Sequence, residues 1–472
     1  MRKIFFYLFF FFCFEICFFC DADVADFVGR DFPSTYVAWG NILNKPELTP
    51  EARWAMHDVV WSADFGLRFN GVDWVGDINA AQQRKALFLS MNPDMLFFVD
   101  VHYFSGYPPG SFPEDNPMLL RDSEGVPVVD ELWGNEQLLD FTLPETQQWA
   151  IRQAVAAWET GLFDGIFLDN WNEDERLNEL KPLSEEHKAR DLILQGIRSK
   201  VGSDFLIIVN SGHEKIPRWA AYINGLHMET RPGYSNIGIP MDGNYTQGDL
   251  KEIQKTLIWA EASLRAPVIN CLEGVTDARE SPMSLKNQQR MRFFTTMSLT
   301  LSDGCVNFAL GFWMQPLIFG YDYDDLYIPL SDGVNPSDHY WYPFWDADLG
   351  QPIGGNELKG QLYRDTEGLF IREFTNGWAV YNRSGTEQQI ELPENVSAVA
   401  SGLTGTAHTI PDLDGEIYLK QETKPSADVN GDGVVNIQDL VIVANALGKA
   451  EPDLNGDGVV NIQDLVIVAN AF

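Results

Sequence analysis

At 472 residues the chain is too long for one small domain and suits roughly two to four. A formal net charge of −35, from 33 Lys plus Arg against 68 Asp plus Glu, excludes a nucleic-acid partner, because phosphate binding needs a basic face. Hydrophobic content of 45% with 14 Trp, 31 Phe and 15 Tyr excludes a disordered chain and predicts a sizeable aromatic core.

The N-terminus reads as a targeting signal over residues 1–22: Arg2 and Lys3 precede an apolar run, Ile4 to Cys20, broken only by Glu15. The reading predicts export, with cleavage near Cys20-Asp21-Ala22; an uncleaved anchor is the alternative, since the run approaches the lower limit for spanning a bilayer. No other stretch is apolar enough to span one. Cys13, Cys17 and Cys20 lie in this signal, which leaves Cys271 and Cys305 in adjacent predicted strands, a pattern of buried free thiols rather than a disulfide framework.

From Ser34 onward apolar strand-like runs alternate with amphipathic helical stretches, the signature of a parallel sheet covered by helices. The predicted strands are Thr35–Trp39, Asp58–Trp61, Met95–His102, Gly165–Asn170, Phe205–Asn210, Gly225–Glu229, Pro267–Glu273 and Gly304–Ala309. Predicted helices are Pro50–His57, Ile78–Met91, Pro144–Thr160, Ser184–Val201, Thr246–Leu264 and Ser284–Leu301, with Thr49 and Ser184 as polar starts. Eight strands over about 280 residues match a (β/α)₈ barrel of the TIM type, placed at residues 31–325. Residues 321–342, rich in Asp, Tyr, Pro and Gly, read as an irregular extension. Short β-type runs in the 326–420 region, among them Leu369–Phe374, Trp378–Asn382, Gln388–Leu392 and Ile417–Leu419, predict a C-terminal β-sandwich, followed by a linker at 421–427.

The tail, 428–472, is a duplication: Asp428–Leu447 and Asp453–Phe472 differ only at Val429 against Leu454 and Leu447 against Phe472. Each repeat spells a calcium loop at positions 1, 3, 5, 7, 9 and 12: Asp428, Asn430, Asp432, Val434, Asn436 and Asp439, then Asp453, Asn455, Asp457, Val459, Asn461 and Asp464. A hard cation needs several oxygens at close range; this spacing supplies carboxylates, amides and one backbone carbonyl, with Gly433 and Gly458 for the sharp turn. Each loop is followed by a helix without a full one before it, and Asp replaces the usual Glu at position 12. The segment therefore resembles a type I-like dockerin, a small all-α module. That resemblance implies two bound calcium ions and a cohesin-type domain on a scaffold or surface protein as partner, with loop positions 10 and 11 helping to choose it; here both repeats carry Ile-Gln, Ile437-Gln438 and Ile462-Gln463.

Dockerins are attached to extracellular carbohydrate-active enzymes, which turns attention to carboxylates in the barrel. Glycoside hydrolysis needs two, one to protonate the leaving oxygen and one to attack or to activate water. In such barrels polar groups at strand C-termini line the active site. The strand ends supply Asp100 with His102 and Tyr103, then Asp169 with Asn170 and Trp171, then Asn210, Glu229 and Glu273. A lone Asp after a strand is more often a helix cap, but here carboxylates recur on successive strands. Several retaining α-glycosidase groups place an Asp nucleophile on the fourth strand and the acid/base on the sixth; Asp164-Gly165-Ile166-Phe167-Leu168-Asp169 and Gly225-Leu226-His227-Met228-Glu229 resemble those positions. Residues 34–420 resemble an uncharacterised glycosyl-hydrolase-like barrel family with a C-terminal β domain, through Tyr36-Val37-Ala38-Trp39-Gly40, Asp348-Leu349-Gly350-Gln351-Pro352 and Arg372-Glu373-Phe374-Thr375-Asn376-Gly377.

The expectation is an extracellular glycoside hydrolase using Asp169 as nucleophile or base and Glu229 as acid/base, with Glu273 as the alternative partner and no catalytic cofactor. Trp39, Trp133, Trp171, Trp313 and Tyr103 are candidates to stack on sugar faces, although core packing explains any single Trp equally well. His102 and His213 are candidates to bind hydroxyls, against ordinary structural histidines. The competing class is a non-catalytic carbohydrate-binding or structural barrel anchored by its dockerin. Seven scattered His without ligand spacing argue against zinc.

Overall fold

The computed structural model describes residues 24–38, 43, 45–61, 65–106, 112–130, 136–174, 177, 180–230, 245–277, 280–309, 340–421 and 427–472. The targeting signal, Trp39, Trp133, Trp313 and most of the extension at 321–342 lie outside them. No helix among the described residues is long and apolar enough to cross a membrane. The chain divides into two compact units, Met1–Glu391 with Ala398–Leu403 and Ala407–Leu419, and Leu392–Ser397 with Thr404–Thr406 and Lys420–Phe472.

In chain order the strands are β1 Tyr36–Val37, β2 Val59–Val60, β3 Arg68–Phe69, β4 Trp74–Val75, β5 Leu96–Asp100, β6 Ser105–Gly106, β7 Val129–Asp130, β8 Glu136–Leu138, β9 Gly165–Leu168, β10 Leu206–Asn210, β11 Gly225–Glu229, β12 Cys271–Val275, β13 Cys305–Ala309, β14 Leu369–Phe374, β15 Gly377–Asn382, β16 Gln388–Ala398, β17 Thr404–Ile410 and β18 Asp414–Lys420. The helices are α1 Val24–Val28, α2 Pro50–Trp54, α3 Ile78–Met91, α4 Pro144–Glu159, α5 Leu183–Arg198, α6 Gln247–Ser263, α7 Leu285–Leu301, α8 Ile437–Asn445 and α9 Ile462–Asn470.

The order β1-β2-β5-β9-β10-β11-β12-β13 makes an eight-stranded sheet of parallel pairs. A parallel bridge between Thr35 and Val306 closes it into the (β/α)₈ barrel. The two-residue period of each strand divides the core in two. Phe167 of β9, Leu206 and Ile208 of β10, Cys271 of β12 and Cys305 of β13 fill the lumen. Their neighbours Ile166, Leu168, Ile207, Val209 and Leu272 pack outward under the helices. Near the lumen's centre Trp61 stacks between Tyr36 and Phe167, each ring centroid 4.9 Å away, and His227 meets all three edge-on. Its Nδ1 lies 3.1 Å from the Tyr36 hydroxyl. Gly225 opens β11 because a Cβ there would overlap the Ile269 carbonyl.

Caps explain most helix starts. Thr49, Asp77, Thr246 and Ser284 each accept a first-turn N–H, and Thr246 completes a capping box with Asp249. Ser184 does not cap its helix. The helix begins one residue earlier behind Pro182, and Glu186 turns inward to pair with Arg190 at 3.5 Å, both side chains buried. Two small features carry no periodic signal in the sequence: the β3–β4 hairpin and an antiparallel β6-β8-β7 sheet inserted after β5.

The C-terminal strands form one antiparallel sheet in the order β14-β15-β18-β16-β17. The expected sandwich is completed by helix α7 in place of a second sheet: Arg292 clamps Asp414 through two bonds of 3.0 and 2.7 Å, and Phe293 packs edge-on to Tyr381. At 348–352 and 372–377 the two motifs grip each other, with Thr375 N donating to Gln351 O at 2.8 Å and Asn376 N to Leu349 O at 3.1 Å. Gln351 Nε2 also reaches the Arg30 carbonyl at 2.6 Å, so these motifs fasten the N-terminal segment to the sheet.

In the tail, α8 and α9 share a core of five buried side chains, Val443, Ala446, Leu454, Val460 and Val468.

Candidate active site

Six consecutive strands each deliver one polar side chain at the C-terminal mouth of the barrel: Asp100, Asp169 just beyond β9, Asn210, Glu229, Glu273 and Asn307. The pleat that points Phe167 inward points Asp169 inward two residues later, and the same count leads from Ile208 to Asn210, Cys271 to Glu273 and Cys305 to Asn307.

Asn210 sits between the two predicted carboxylates. Its Nδ2 donates to Asp169 Oδ1 at 2.8 Å and to Glu229 Oε2 at 2.9 Å. Its Oδ1 accepts from Gly212 N at 2.9 Å, which fixes which end of the amide is the donor. The two bonds total 5.7 Å, an upper limit on the separation of those oxygens. Asp169 also accepts from its neighbour, Oδ1 from Asn170 N at 2.9 Å and Oδ2 from Asn170 Nδ2 at 3.3 Å. Asn170 is left-handed, with φ of 51°. Burial first, and then the charge of Glu229, push the Asp169 carboxyl up to about 7, against the opposing bonds from Asn210 and Asn170; Asp100 adds a further upward push.

Glu273 has its own partner, accepting from Asn307 Nδ2 at 3.1 Å. Asn307 is a residue the sequence reading missed, although an Asn inside Cys305-Val306-Asn307-Phe308 breaks an apolar strand just as Asn210 ends its own. Tyr36 was read only as part of a motif. Its hydroxyl lies beneath the mouth, pushed well up by burial and then by the charges of Glu273, Cys271 and Glu229.

Other predicted residues fall elsewhere. Tyr103 and Trp171 are fully buried in the layer under the helices, with ring centroids 4.9 Å apart, and Trp171 packs on Trp219. They pack the core and offer no sugar-stacking face. Burial holds His102 down at about 4, and its backbone N–H is tied to Gln153. His213 contributes its carbonyl to the Thr256 hydroxyl, a bond that fastens α6.

In the tail, positions 3 and 5 meet in both predicted loops, Asn430 Nδ2 donating to Asp432 Oδ2 at 2.9 Å in the first, and position 9 joins them in the second. Asp457 Oδ2 accepts from Asn455 Nδ2 at 3.0 Å and from Asn461 Nδ2 at 2.6 Å. Asp428 and Asp453 accept the turn N–H of Gly433 and Gly458 at 2.7 and 2.6 Å. Among the described residues no group of three or more His, Cys, Asp or Glu side chains converges as a metal site. The loop positions supply carboxylates, side-chain amides and one backbone carbonyl each, a donor chemistry that fits calcium.

A family model described as hypothetical glycosyl hydrolase family 15 matches residues 109–378, and a type I dockerin domain model matches 426–472. No curated protein matches the chain significantly. Solved structures with a similar fold include an alpha-amylase from Geobacillus thermoleovorans, 12% identical, covering 86% of this chain and 92% of that one at a TM-score of 0.41. An alpha-amylase from Malbranchea cinnamomea is 10% identical and covers 85% and 98% at 0.45. A maltogenic alpha-amylase from Thermotoga neapolitana is 11% identical and covers 82% and 99% at 0.42. The first family model spans more than half of the 472 residues, and the chain belongs to hypothetical glycosyl hydrolase family 15, with a type I dockerin at its C-terminal end.

Proposed function

We propose that the chain is an exported glycoside hydrolase acting on poly- or oligosaccharide, with Asp169 as nucleophile and Glu229 as acid/base. The observation that carries this is the single Asn210 nitrogen bonded to both carboxylates, which limits their nearest oxygens to 5.7 Å. That spacing favours a retaining mechanism, since inversion needs roughly 6.5–9.5 Å to admit a water. Like charges this close share one proton. With the proton on Glu229 one of the two main pushes on Asp169 disappears, and three donors from Asn170 and Asn210 oppose the remaining push of burial and favour the ionised form. Asp169 then attacks the anomeric carbon as Glu229 gives its proton to the departing oxygen. Glu229 afterwards takes a proton from the water that releases the sugar.

In the tail the twelve oxygen-bearing positions named above would hold two calcium ions, which supply the charge that orders the loops. Ile437 and Ile462, at the loop position tied to partner choice, are exposed and available to a cohesin-type domain. Reducing-end release from a polysaccharide panel tests the enzyme: Asp169→Asn and Glu229→Gln should both lose turnover while keeping the fold, and retained activity in either removes that residue from the mechanism.

A further inference from the structure

The conformation of Asn170 is the most unusual feature beside the site. A left-handed, non-glycine residue directly after the nucleophile aims both its N–H and its side-chain amide at one carboxylate. Two outside bonds hold the peptide there. Trp171 N donates to Asn210 O at 2.7 Å, and the buried Tyr103 hydroxyl donates to Asn170 O at 2.7 Å. The carbonyl can only accept, so the direction of the second bond is fixed. Phe104, Phe141 and Trp171 surround the Tyr103 ring, with centroids 5.3, 5.2 and 4.9 Å away, and leave it little freedom.

We propose that Tyr103 is a positioning residue, whose hydroxyl keeps the Asn170 peptide in the left-handed turn that presents two donors to Asp169. The inference rests on the reading of Asp169 as nucleophile. Removing the hydroxyl leaves a partly buried carbonyl without that donor, and the peptide turns to recover one. Both bonds to the carboxylate then lengthen, and both favour its ionised form, so the Asp169 titration moves to higher pH. The charged and titratable groups facing this relay are Glu229 and Asp100 on the Asp169 side, and Arg190 with Glu186 of α5 on the Tyr103 side. Arg190 also hydrogen-bonds the Tyr103 hydroxyl, so Tyr103→Phe changes that contact as well, and Asn170→Gly, which leaves Tyr103 and Arg190 in place, separates the two effects.

The experiment compares Tyr103→Phe with the wild-type full chain. A shape-conserving loss of one hydroxyl should lower kcat roughly ten- to a hundredfold, the scale of misplacing a reacting group by up to about 1 Å, with KM little changed. The acid limb of kcat/KM should move upward. An infrared titration of the carboxyl band, assigned by its loss in Asp169→Asn, should show the same upward shift without any substrate. Asn170→Gly keeps the left-handed φ, removes the amide donor and should shift that band in the same direction. Wild-type kcat with an unshifted band in Tyr103→Phe overturns the proposal, whatever Asn170→Gly shows. If Asp169→Asn stays active, the nucleophile assignment fails, and the infrared shift still decides whether Tyr103 governs this carboxyl.

Discussion

Glu229 and Glu273 are register partners on β11 and β12, yet Glu229 shares a donor with Asp169 while Glu273 is bonded to Asn307 on the far side. Adjacent positions on neighbouring strands thus give two carboxylates different partners, and on the proposed mechanism only Glu229 takes part in the proton transfer. Glu229→Gln should lower kcat by roughly 10²–10⁴-fold, the usual worth of a general acid. Glu273→Gln should raise KM and leave kcat within about tenfold. Steady-state kinetics on one substrate decides between them, and the reverse ranking would move the acid/base role to Glu273.

Asp169 makes stability depend on pH in a defined direction. Its folded carboxyl is raised from 3.8 to about 7, so between those values the folded state binds more proton than the unfolded one. Stability from this group is present at low pH and is lost as pH rises from about 4 to about 7, by at most about 4 kcal/mol. Asp169→Asn removes that slope, so its unfolding free energy should gain on the wild type across the interval and run parallel above it. Urea unfolding at pH 4.5, 6 and 8 measures the difference; parallel curves throughout would show that Asp169 is not held up by its surroundings.

The barrel was legible because its strands are short apolar runs, several of them with a polar residue at or near the C-terminal end. Strands β9, β10 and β11 and helices α3 and α7 lie within two residues of where periodicity puts them. Strand β12 starts later than the apolar run suggests, because Pro267 to Asn270 form the approach and the Asn270 side chain serves Leu226 N and Glu261. The small β6-β8-β7 sheet escaped, since two- and three-residue strands leave no alternation to read. Strand ends also revealed Asp169, Asn210 and Glu229 as candidates. What sequence could not separate was direction. Tyr103 and Trp171 follow strand ends as Asp169 does, but turn outward into the helix layer, where aromatic burial outweighs any exposed role. Asn210 was read as a substrate ligand, and its place between two carboxylates depends on strands 41 and 19 residues away.

Lys359 links the sheet region to the barrel from a nearly dry position. Its Nζ lies 2.6 Å from Glu261 and 2.5 Å from Asp303, and its side chain is 8% exposed against 4% for Glu261. Burial pushes the Asp303 carboxyl up, but Arg372 and Lys359 together outweigh it and hold the group below its ordinary value. Lys359→Met should destabilise by about 3 kcal/mol, because Glu261 keeps its bonds from Asn270 and Ser302 but loses its cation. Adding Glu261→Gln should restore most of that loss, a coupling that a double-mutant cycle in guanidinium reads directly. Additive losses would mean that the ion pair contributes nothing beyond its separate residues.

The tail is too small to hold itself together by apolar burial. Five buried side chains form its core, and segments of this size generally need metal or covalent staples. Its loops close instead around position 12: Asp439 accepts from Val429, Asn430 and Asn436 N–H at 2.8, 3.1 and 2.9 Å, and Asp464 from Leu454, Asn455 and Asn461 at 2.6, 3.1 and 2.7 Å. Those bonds hold position 12 against the start of each loop, but they leave the other ligand positions tied only by exposed hydrogen bonds that a cation would replace. Chelation should therefore unfold residues 428–472 and leave the barrel intact. The signals separate cleanly, because the tail contains no Trp or Tyr and all tryptophan fluorescence reports on the rest of the chain. Calorimetric titration of the chelated protein should return two calcium ions, and Asp428→Ala should return one. Amide resonances of the tail that stay dispersed in excess chelator would show that the loops hold without metal.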